Sequence, residues 1–359
     1  MIFSKRLFSG LFWLTCAVQA QEVPWHLGSA KAEQRPAASA VNTYGIAPGP
    51  TTIVVAVIDS GVLADHPSLA GVLLPGYDML SEPKNLRGGR STNFSPDLRE
   101  ATCGKRVMSA AFRTHGTEVA SLIAGNGVDG VTGVNKDARI LPIRLFGACG
   151  MKRSDMLDAI AWSAGMSVAG VPTNPHPARV INLSLVGGAT SCGPELQELI
   201  NQLVAKKIFV IAAAGNNFHK PLPEPANCDG VISVGAVDAE NRIEVYSALD
   251  KRTYLYAPGG GKKLASPEPW GVNQLKIASY ALDFLGNEKP VAEYRGIGTS
   301  FAAPVAAGFI SLWLSRHPDK GPTDFAKENV SFLRPVQPID ECPECEPKGL
   351  FAGKTGAFK

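Results

Sequence analysis

The sequence has almost no excess of charge of either sign. Its 35 lysine and arginine residues are balanced by 32 aspartate and glutamate residues, which gives a formal net charge of +3. Binding to nucleic acid depends on clustered positive charge, and this composition provides no such surplus. We therefore expect no nucleic-acid partner.

Long hydrophobic runs are also lacking, except at the amino terminus. Two basic residues precede an apolar stretch at residues 7–18, and Ala20 ends the small-residue sequence VQA. This pattern predicts a secretory signal peptide over residues 1–20, cleaved after Ala20. The alternative, a lipoprotein acylated at Cys16, is less favoured because threonine precedes that cysteine. The stretch is shorter than the ~20 residues that span a bilayer, so we expect a secreted or periplasmic protein without membrane association after cleavage.

Cysteine is scarce, and its number agrees with export. The chain has 7 cysteines, of which Cys16 would leave with the signal peptide. The remaining six are an even number, as is usual in an oxidising compartment. Cys342 and Cys345 form a CxxC pair. With no histidine nearby, a local disulfide or two free thiols is favoured there over a metal or redox site.

The rest of the chain is rich in apolar runs that alternate with helical patterns. This order predicts an α/β fold, with a doubly wound, mostly parallel sheet covered by helices on both faces, in a single domain at residues 41–317. An extension at residues 21–40 precedes the domain and a tail at residues 318–359 follows it. The predicted strands are 53–58, 140–145, 180–185, 208–213, 231–237 and 254–257; the clearest helices are 154–162, with Ser154 as its cap, and 194–206, with Pro194 in its first turn. Two segments without periodicity, 78–113 and 258–275, are expected to be long loops.

Three polar side chains follow element boundaries in an order that suits hydrolysis. Asp59 ends an apolar strand, His115 lies in the sequence THGT at the expected start of a helix, and Ser300 begins a small-residue helix with the sequence GTSFAAP. The order Asp, His, Ser is one of three in which unrelated folds assemble the same nucleophilic geometry. We expect Ser300 as nucleophile, His115 as general base and Asp59 as the carboxylate that orients the imidazole.

Asn216 is the fourth expected participant, because it follows another apolar strand and carries an amide that could stabilise an oxyanion. Several other polar residues are rivals for these roles. His66 lies in a proline turn and is better explained as a structural histidine. The other rivals, which lack a matching local sequence, are Asp238, Ser121 and Ser184.

These motifs resemble those of the subtilisin-like serine proteases. The resemblance covers most of the chain from residue 24 to about residue 313, with VIDSGV at 57–62, HGTEVA at 115–120 and GTSFAAPVAAG at 298–308. It implies a peptidase that needs no organic cofactor and acts on protein or peptide substrates. Calcium binding is common in that family, and residues 126–130 are a candidate loop that lacks a dense set of ligands.

The resemblance also implies where a substrate would bind and how the cysteines pair. A peptide would lie along residues 184–186. It would place one side chain between that segment and residues 213–215, with a preference for neutral or apolar side chains. The residues implied are Ser184, Leu185, Val186, Ala213, Ala214 and Gly215. The implied disulfides are Cys103–Cys149 and Cys192–Cys228.

The chain departs from the family pattern at several points. Glu118 stands where a second histidine is frequent, Phe301 stands where methionine is frequent, and Val186 stands where glycine is usual. Residues 21–40 are too few for a folded inhibitory propeptide, so we expect either unaided folding or a separate folding assistant or inhibitor. Two alternatives to a broad protease stay open: a narrow maturation or virulence protease, and a catalytically silent homologue that binds peptides.

Overall fold

Seven strands form one parallel sheet at the centre of the fold. The computed structural model describes residues 47–81, 89–96, 102–107, 110–217, 221–238, 242–261, 275–282, 288–295 and 297–328. In chain order the strands are β1 (Val54–Asp59), β2 (Tyr77–Asp78), β3 (Thr102–Cys103), β4 (Arg106–Val107), β5 (Arg139–Arg144), β6 (Val180–Leu183), β7 (Phe209–Ala213), β8 (Val231–Val237), β9 (Leu255–Pro258), β10 (Leu275–Leu282) and β11 (Glu288–Arg295). The main sheet has the order β2-β5-β1-β6-β7-β8-β9, and every pair within it is parallel.

Helices cover both faces of this sheet. They are α1 (Ala110–Ala124), α2 (Arg153–Ser163), α3 (Pro194–Ala205), α4 (Thr299–Arg316) and α5 (Pro322–Glu328), with short 3₁₀ turns at Pro67–Leu69 and Val128–Gly130. Strand residues alternate between the two faces. Val55 and Val57 of β1 pack in the core that includes α1 and α4, whereas Ala56 and Ile58 pack in the core that includes α2 and α3. The predicted doubly wound α/β fold is confirmed.

The predicted strands fall within one or two residues of the observed ones, but three local expectations were wrong. Segment 78–113 is not all loop, because it contains the β3–β4 hairpin and the first turn of α1. His115 therefore lies in the second turn of α1 and does not open it. Helix α2 begins at Arg153 after Lys152, so Ser154 is inside the helix and is not its cap.

An antiparallel hairpin of β10 and β11 was missed by the sequence analysis. Its strands pair from Leu275 opposite Arg295 to Leu282 opposite Glu288. Leu275 and Ile277 pack with Leu122 of α1. The hairpin therefore covers the helix that carries His115.

Two disulfides join segments of the described residues that are distant in sequence. Cys103 is bonded to Cys149, and Cys192 is bonded to Cys228. These are the two pairs that the resemblance implies. The first bond links the β3–β4 hairpin to the segment after β5, and the second links the start of α3 to the turn before β8.

Several expectations concern residues outside the described ranges. They are the signal peptide (1–20), the extension (21–40), most of the expected loop 258–275, the CxxC pair and most of the tail. The described start of the tail contains α5, whose Phe325 is 1% exposed and packs in the main core. The ordered fold therefore reaches past residue 317. Within the described residues, no helix combines the length and apolar character needed to cross a membrane.

Candidate active site

Asp59 and His115 form a buried hydrogen-bonded pair. The Nδ1 atom of His115 lies 2.9 Å from Oδ1 and 3.0 Å from Oδ2 of Asp59, whose side chain is fully buried. A carboxylate in this position accepts the Nδ1 proton, which fixes the imidazole tautomer and leaves Nε2 to receive a proton. The pair has the arrangement needed for an oriented general base.

A close approach of α1 to β1 positions this pair. Asp59 is the last residue of β1, which lies between β5 and β6, so its side chain emerges at the carboxyl edge of the sheet. A Cβ atom at Gly116 would lie 2.3 Å from the carbonyl oxygen of Gly61. Only glycine fits here, and its absence of a side chain lets the helix bring His115 against Asp59.

The environment of His115 favours its protonated form. Burial lowers the pKa of His115, but the charge and hydrogen bond of Asp59, together with the charge of Glu118, outweigh burial and raise it above its ordinary value. An imidazole with a raised pKa is a stronger base, and it loses this role when acid protonates it.

Ser300 lies in the first turn of α4, directly after Thr299. Pro304 has no N–H, so the Ser300 carbonyl lacks its usual partner within the helix. The Ser184 hydroxyl donates to that carbonyl at 2.7 Å, and the Asn182 side-chain amide donates to Ser184 Oγ at 2.9 Å. Ser184, a rival nucleophile from the sequence, instead anchors the backbone of Ser300 through its hydroxyl.

Asn216 is held against the start of α4 by its oxygen atom. Its Oδ1 accepts hydrogen bonds from the backbone N–H of Thr299 at 2.8 Å and from the Thr299 hydroxyl at 2.9 Å. The same hydroxyl accepts from the Gly215 N–H at 3.0 Å. This arrangement orients the amide so that Nδ2 is the group available to an oxyanion. The role of Thr299 in fixing Asn216 was missed by the sequence analysis.

A cleft of about 710 Å³ brings these groups together. His115, Asn216, Thr299 and Ser300 line it, and the aromatic ring of Phe301 lies 5.5 Å from the ring of His115. Most of the remaining wall is apolar. Its apolar members are Phe112, Phe146, Ala148, Met151, Leu185 and Val186.

The predicted substrate-binding residues divide into two groups. Ser184, Leu185, Val186 and Gly215 line the cleft. Ala213 and Ala214 do not line it; both are fully buried in β7 and just after it.

The rival residues have other structural partners. His66 is 1% exposed; its Nδ1 accepts from the Ser68 N–H, and its Nε2 lies 3.2 Å from the Val291 carbonyl oxygen. Asp238 forms an ion pair with Arg242. The Ser121 hydroxyl donates to the Glu118 carbonyl oxygen at 2.7 Å.

In the candidate calcium loop, residues 126–130, the Asn126 side chain makes its contacts within the fold. Asn126 Oδ1 accepts from the Val128 N–H, and Asn126 Nδ2 donates to the Pro67 carbonyl, so this amide is used within the fold. Asp129 is the only carboxylate in the loop. Across the described ranges no group of three or more His, Cys, Asp or Glu side chains could hold a metal ion.

Comparison with known proteins places this geometry in a family. The sequence model of the subtilase family matches residues 51–332. This chain belongs to the subtilase family. The extracellular protease of Xanthomonas campestris pv. campestris is 36% identical over 267 residues, which cover 72% of this chain and 43% of that relative. The extracellular basic protease of Dichelobacter nodosus is 35% identical over 278 residues, which cover 73% of this chain and 43% of that relative. The subtilase thus spans less than half the length of these two relatives.

Solved structures agree with the fold. A protease from Pseudoalteromonas arctica matches with a TM-score of 0.70 and 31% identity, covering 84% of this subtilase and 89% of that chain. A cold-adapted subtilisin-like serine proteinase matches with a TM-score of 0.54 and 22% identity, covering 78% and 81% of the two chains. The second match supports the fold alone.

Proposed function

We propose that this subtilase is a serine endopeptidase in which Ser300, His115 and Asp59 act as nucleophile, general base and orienting carboxylate. The observation that carries the proposal is the buried contact of His115 Nδ1 with both oxygens of Asp59, at the edge of a cleft that Ser300 also lines. A single polar group in a cleft has many explanations. An imidazole fixed by a fully buried carboxylate beside a serine at a helix amino terminus fits acyl transfer.

The chemistry proceeds through an acyl-enzyme. Ser300 Oγ attacks the peptide carbonyl carbon while its proton passes to His115 Nε2. His115 then gives that proton to the departing amine as the C–N bond breaks. Water, deprotonated by His115, attacks the resulting ester and releases the acid, which restores the Ser300 hydroxyl.

Asn216 and the start of α4 would stabilise the oxyanion formed in each attack. The amide donor of Asn216 is oriented by Thr299, and the amino-terminal end of a helix favours negative charge. Donors fixed before the reaction need no reorganisation when the charge develops. The two contacts to Thr299 would fix the Asn216 donor in this way.

The apolar wall of the cleft supports a preference for neutral or apolar side chains near the cleaved bond. Phe146, Met151 and Leu185 contribute to that wall, and the cleft is lined by no carboxylate or ammonium group among the described residues. Protein or peptide segments in an extended form are the proposed substrates.

Export is proposed for this subtilase on three grounds. The predicted signal peptide precedes the domain, and two disulfides suit an oxidising compartment. The relatives from Xanthomonas campestris and Dichelobacter nodosus are named as extracellular. Mass spectrometry of culture medium and periplasm from the producing cells would locate the chain and show whether it starts at Gln21.

Labelling and hydrolysis together test the proposed activity. The purified chain is incubated with a fluorophosphonate probe and, separately, with denatured casein, with Ser300→Ala as the matched control. We expect the probe on Ser300 and casein fragments from the wild type, with neither from the variant. Labelling without casein cleavage would indicate a narrow protease, and absence of both would overturn the proposal in favour of a peptide-binding homologue.

A further inference from the structure

A buried carboxylate lies one helical turn from the proposed base and has no role in the mechanism above. Glu118 follows His115 by three residues on α1 and is 2% exposed. A carboxylate is rarely this deeply buried unless other groups stabilise its charge. The position therefore calls for a physical explanation.

Two hydroxyl groups donate to one oxygen of this carboxylate. Thr114 Oγ1 donates to Glu118 Oε1 at 2.7 Å, and Ser279 Oγ donates to the same oxygen at 3.1 Å. Hydrogen bonds donated to a carboxylate favour its ionised form. Thr114 belongs to α1 and Ser279 to the β10–β11 hairpin, so the carboxylate is held from two elements.

The hairpin is fixed to α1 by a second polar contact. Ser121 Oγ accepts from the Ala278 N–H at 3.0 Å while it donates to the Glu118 carbonyl oxygen. Beside these contacts lies an apolar cluster of Leu122, Leu275, Ile277 and Phe301. Charge interactions are weakly screened in such surroundings.

Two carboxylates therefore act on the imidazole from different elements. Asp59 acts from β1 through a direct hydrogen bond, and Glu118 acts from α1 through its charge; both favour the protonated ring. The aromatic ring of Phe301 approaches His115 from α4. Phe112 approaches it from the preceding turn of α1.

We propose that the buried carboxylate of Glu118 is a positioning residue for proton transfer, which strengthens His115 as a base through its charge and is itself held by the β10–β11 hairpin. This inference rests on the proposed function, because it assigns Glu118 to the same reaction. Glu118 does not line the cleft, so it would act on the reaction through His115.

The test measures the protonation of His115 directly by NMR. The full chain carries Ser300→Ala to prevent self-digestion, and the resonance of the His115 imidazole is followed against pH. Glu118→Gln keeps an oxygen for both hydroxyl donors but removes the charge. Glu198→Gln removes an equal charge from an exposed position on α3 and is the matched control.

We expect Glu118→Gln to lower the pKa of His115 by about one unit, the size typical of a nearby buried charge. Glu198→Gln should leave it unchanged. In the enzyme with Ser300 restored, the acid limb of the kcat/KM profile should move to lower pH by the same amount, and kcat should fall while KM stays near its original value. An unchanged His115 titration in folded Glu118→Gln would overturn the inference.

A second measurement needs no substitution at Glu118. The ¹³C shift of its carboxyl group in the Ser300→Ala chain shows whether the group is ionised at neutral pH. An ionised carboxylate is expected, and a protonated carboxyl group at pH 7 would refute the inference even if Glu118→Gln fails to fold. Both NMR readouts are independent of hydrolysis, so failure of this inference is distinguishable from failure of the proposed function.

Discussion

Val186 should limit the size of the substrate side chain that this subtilase accepts. The side chain is 49% exposed and lines the cleft, and its Cγ1 lies only 3.8 Å from the position that a Cβ atom at Gly215 would occupy. Pro223 lies close to the same position, at 3.5 Å. The two walls of the cleft therefore approach each other at Val186, and a branched residue there takes up space that a bulky side chain needs.

Val186→Gly removes three carbon atoms from the part of the cleft where its two walls approach each other. A difference of one methylene in an apolar pocket changes discrimination by about 1–3 kcal/mol, or about 10–200-fold. We therefore expect the ratio of kcat/KM for a phenylalanyl substrate to that for an alanyl substrate to rise at least about tenfold. Val186→Ala, which keeps Cβ, should give an intermediate ratio.

Matched peptide substrates that differ only at the residue before the cleaved bond provide the assay. Val245→Gly is the control, because Val245 is 44% exposed and does not line the cleft. It tests whether added backbone freedom alone, worth about 0.5–1 kcal/mol, alters selectivity. If the ratio in folded Val186→Gly equals that of the wild type, the reasoning about the narrow point is refuted.

Four further measurements test the remaining parts of the structure. Asn216→Ala should reduce kcat by about 10²–10³-fold while the chain stays folded; this magnitude comes from subtilisin, a member of the same family. A loss under threefold would contradict the oxyanion role. Phe301 cannot form a sulfoxide, so activity in dilute peroxide should decline more slowly in the wild type than in Phe301→Met, as residual hydrolysis after timed exposure would show. Activity should fall as pH drops through the raised pKa of His115, because the protonated ring cannot accept the Ser300 proton; a kcat/KM profile whose acid limb lies below the ordinary histidine range would count against this. Burial lowers the pKa of His66, so the free energy of unfolding should decrease as pH falls from about 6.5 toward that lower pKa. His66→Asn keeps an acceptor for the cap, and urea titrations of this variant should show a weaker dependence on pH.

The central sheet could be predicted because its signal is local. The strands β1 and β8 are buried along almost their whole length and read as continuous apolar runs, and the prediction for β8 matches the observed bounds. Parallel strands covered on both faces require such runs. The start of α1 could not be predicted in the same way, because the segment before His115 has no helical periodicity.

The hairpin was missed because the alternation of apolar and polar residues in β10 is broken at a position that contacts another element. Leu275 and Ile277 alternate as a half-buried strand does, but the next inward position is Ser279, which donates to Glu118. A polar residue at an inward position removes the pattern by which strands are recognised. The partner that explains it is 161 residues away in sequence.

Prediction of the candidate site from the sequence is limited in the same way, by contacts between segments that are far apart in the chain. Asp59, His115 and Ser300 each have a recognisable local sequence, whereas the supporting bonds of Ser300 and Asn216 join segments that lie far apart. The bond from Ser184 to Ser300 spans 116 residues, and the bond from Thr299 to Asn216 spans 83. A serine and a threonine at such positions carry no local signal of a supporting role.

The choice between the two histidines depends on what their ring nitrogens contact. His66 follows β1 in the sequence, and His115 contacts the last residue of β1. Both side chains are buried, so burial does not separate them. The nitrogens of His66 contact Ser68 and Val291, so a neutral ring fixed in one tautomer satisfies both backbone groups. His115 uses only Nδ1 in its contact with Asp59, and its ring lines the same cleft as Ser300. Proton transfer requires a nitrogen that can gain and lose a proton without breaking the fold, and His115 meets that requirement where His66 does not.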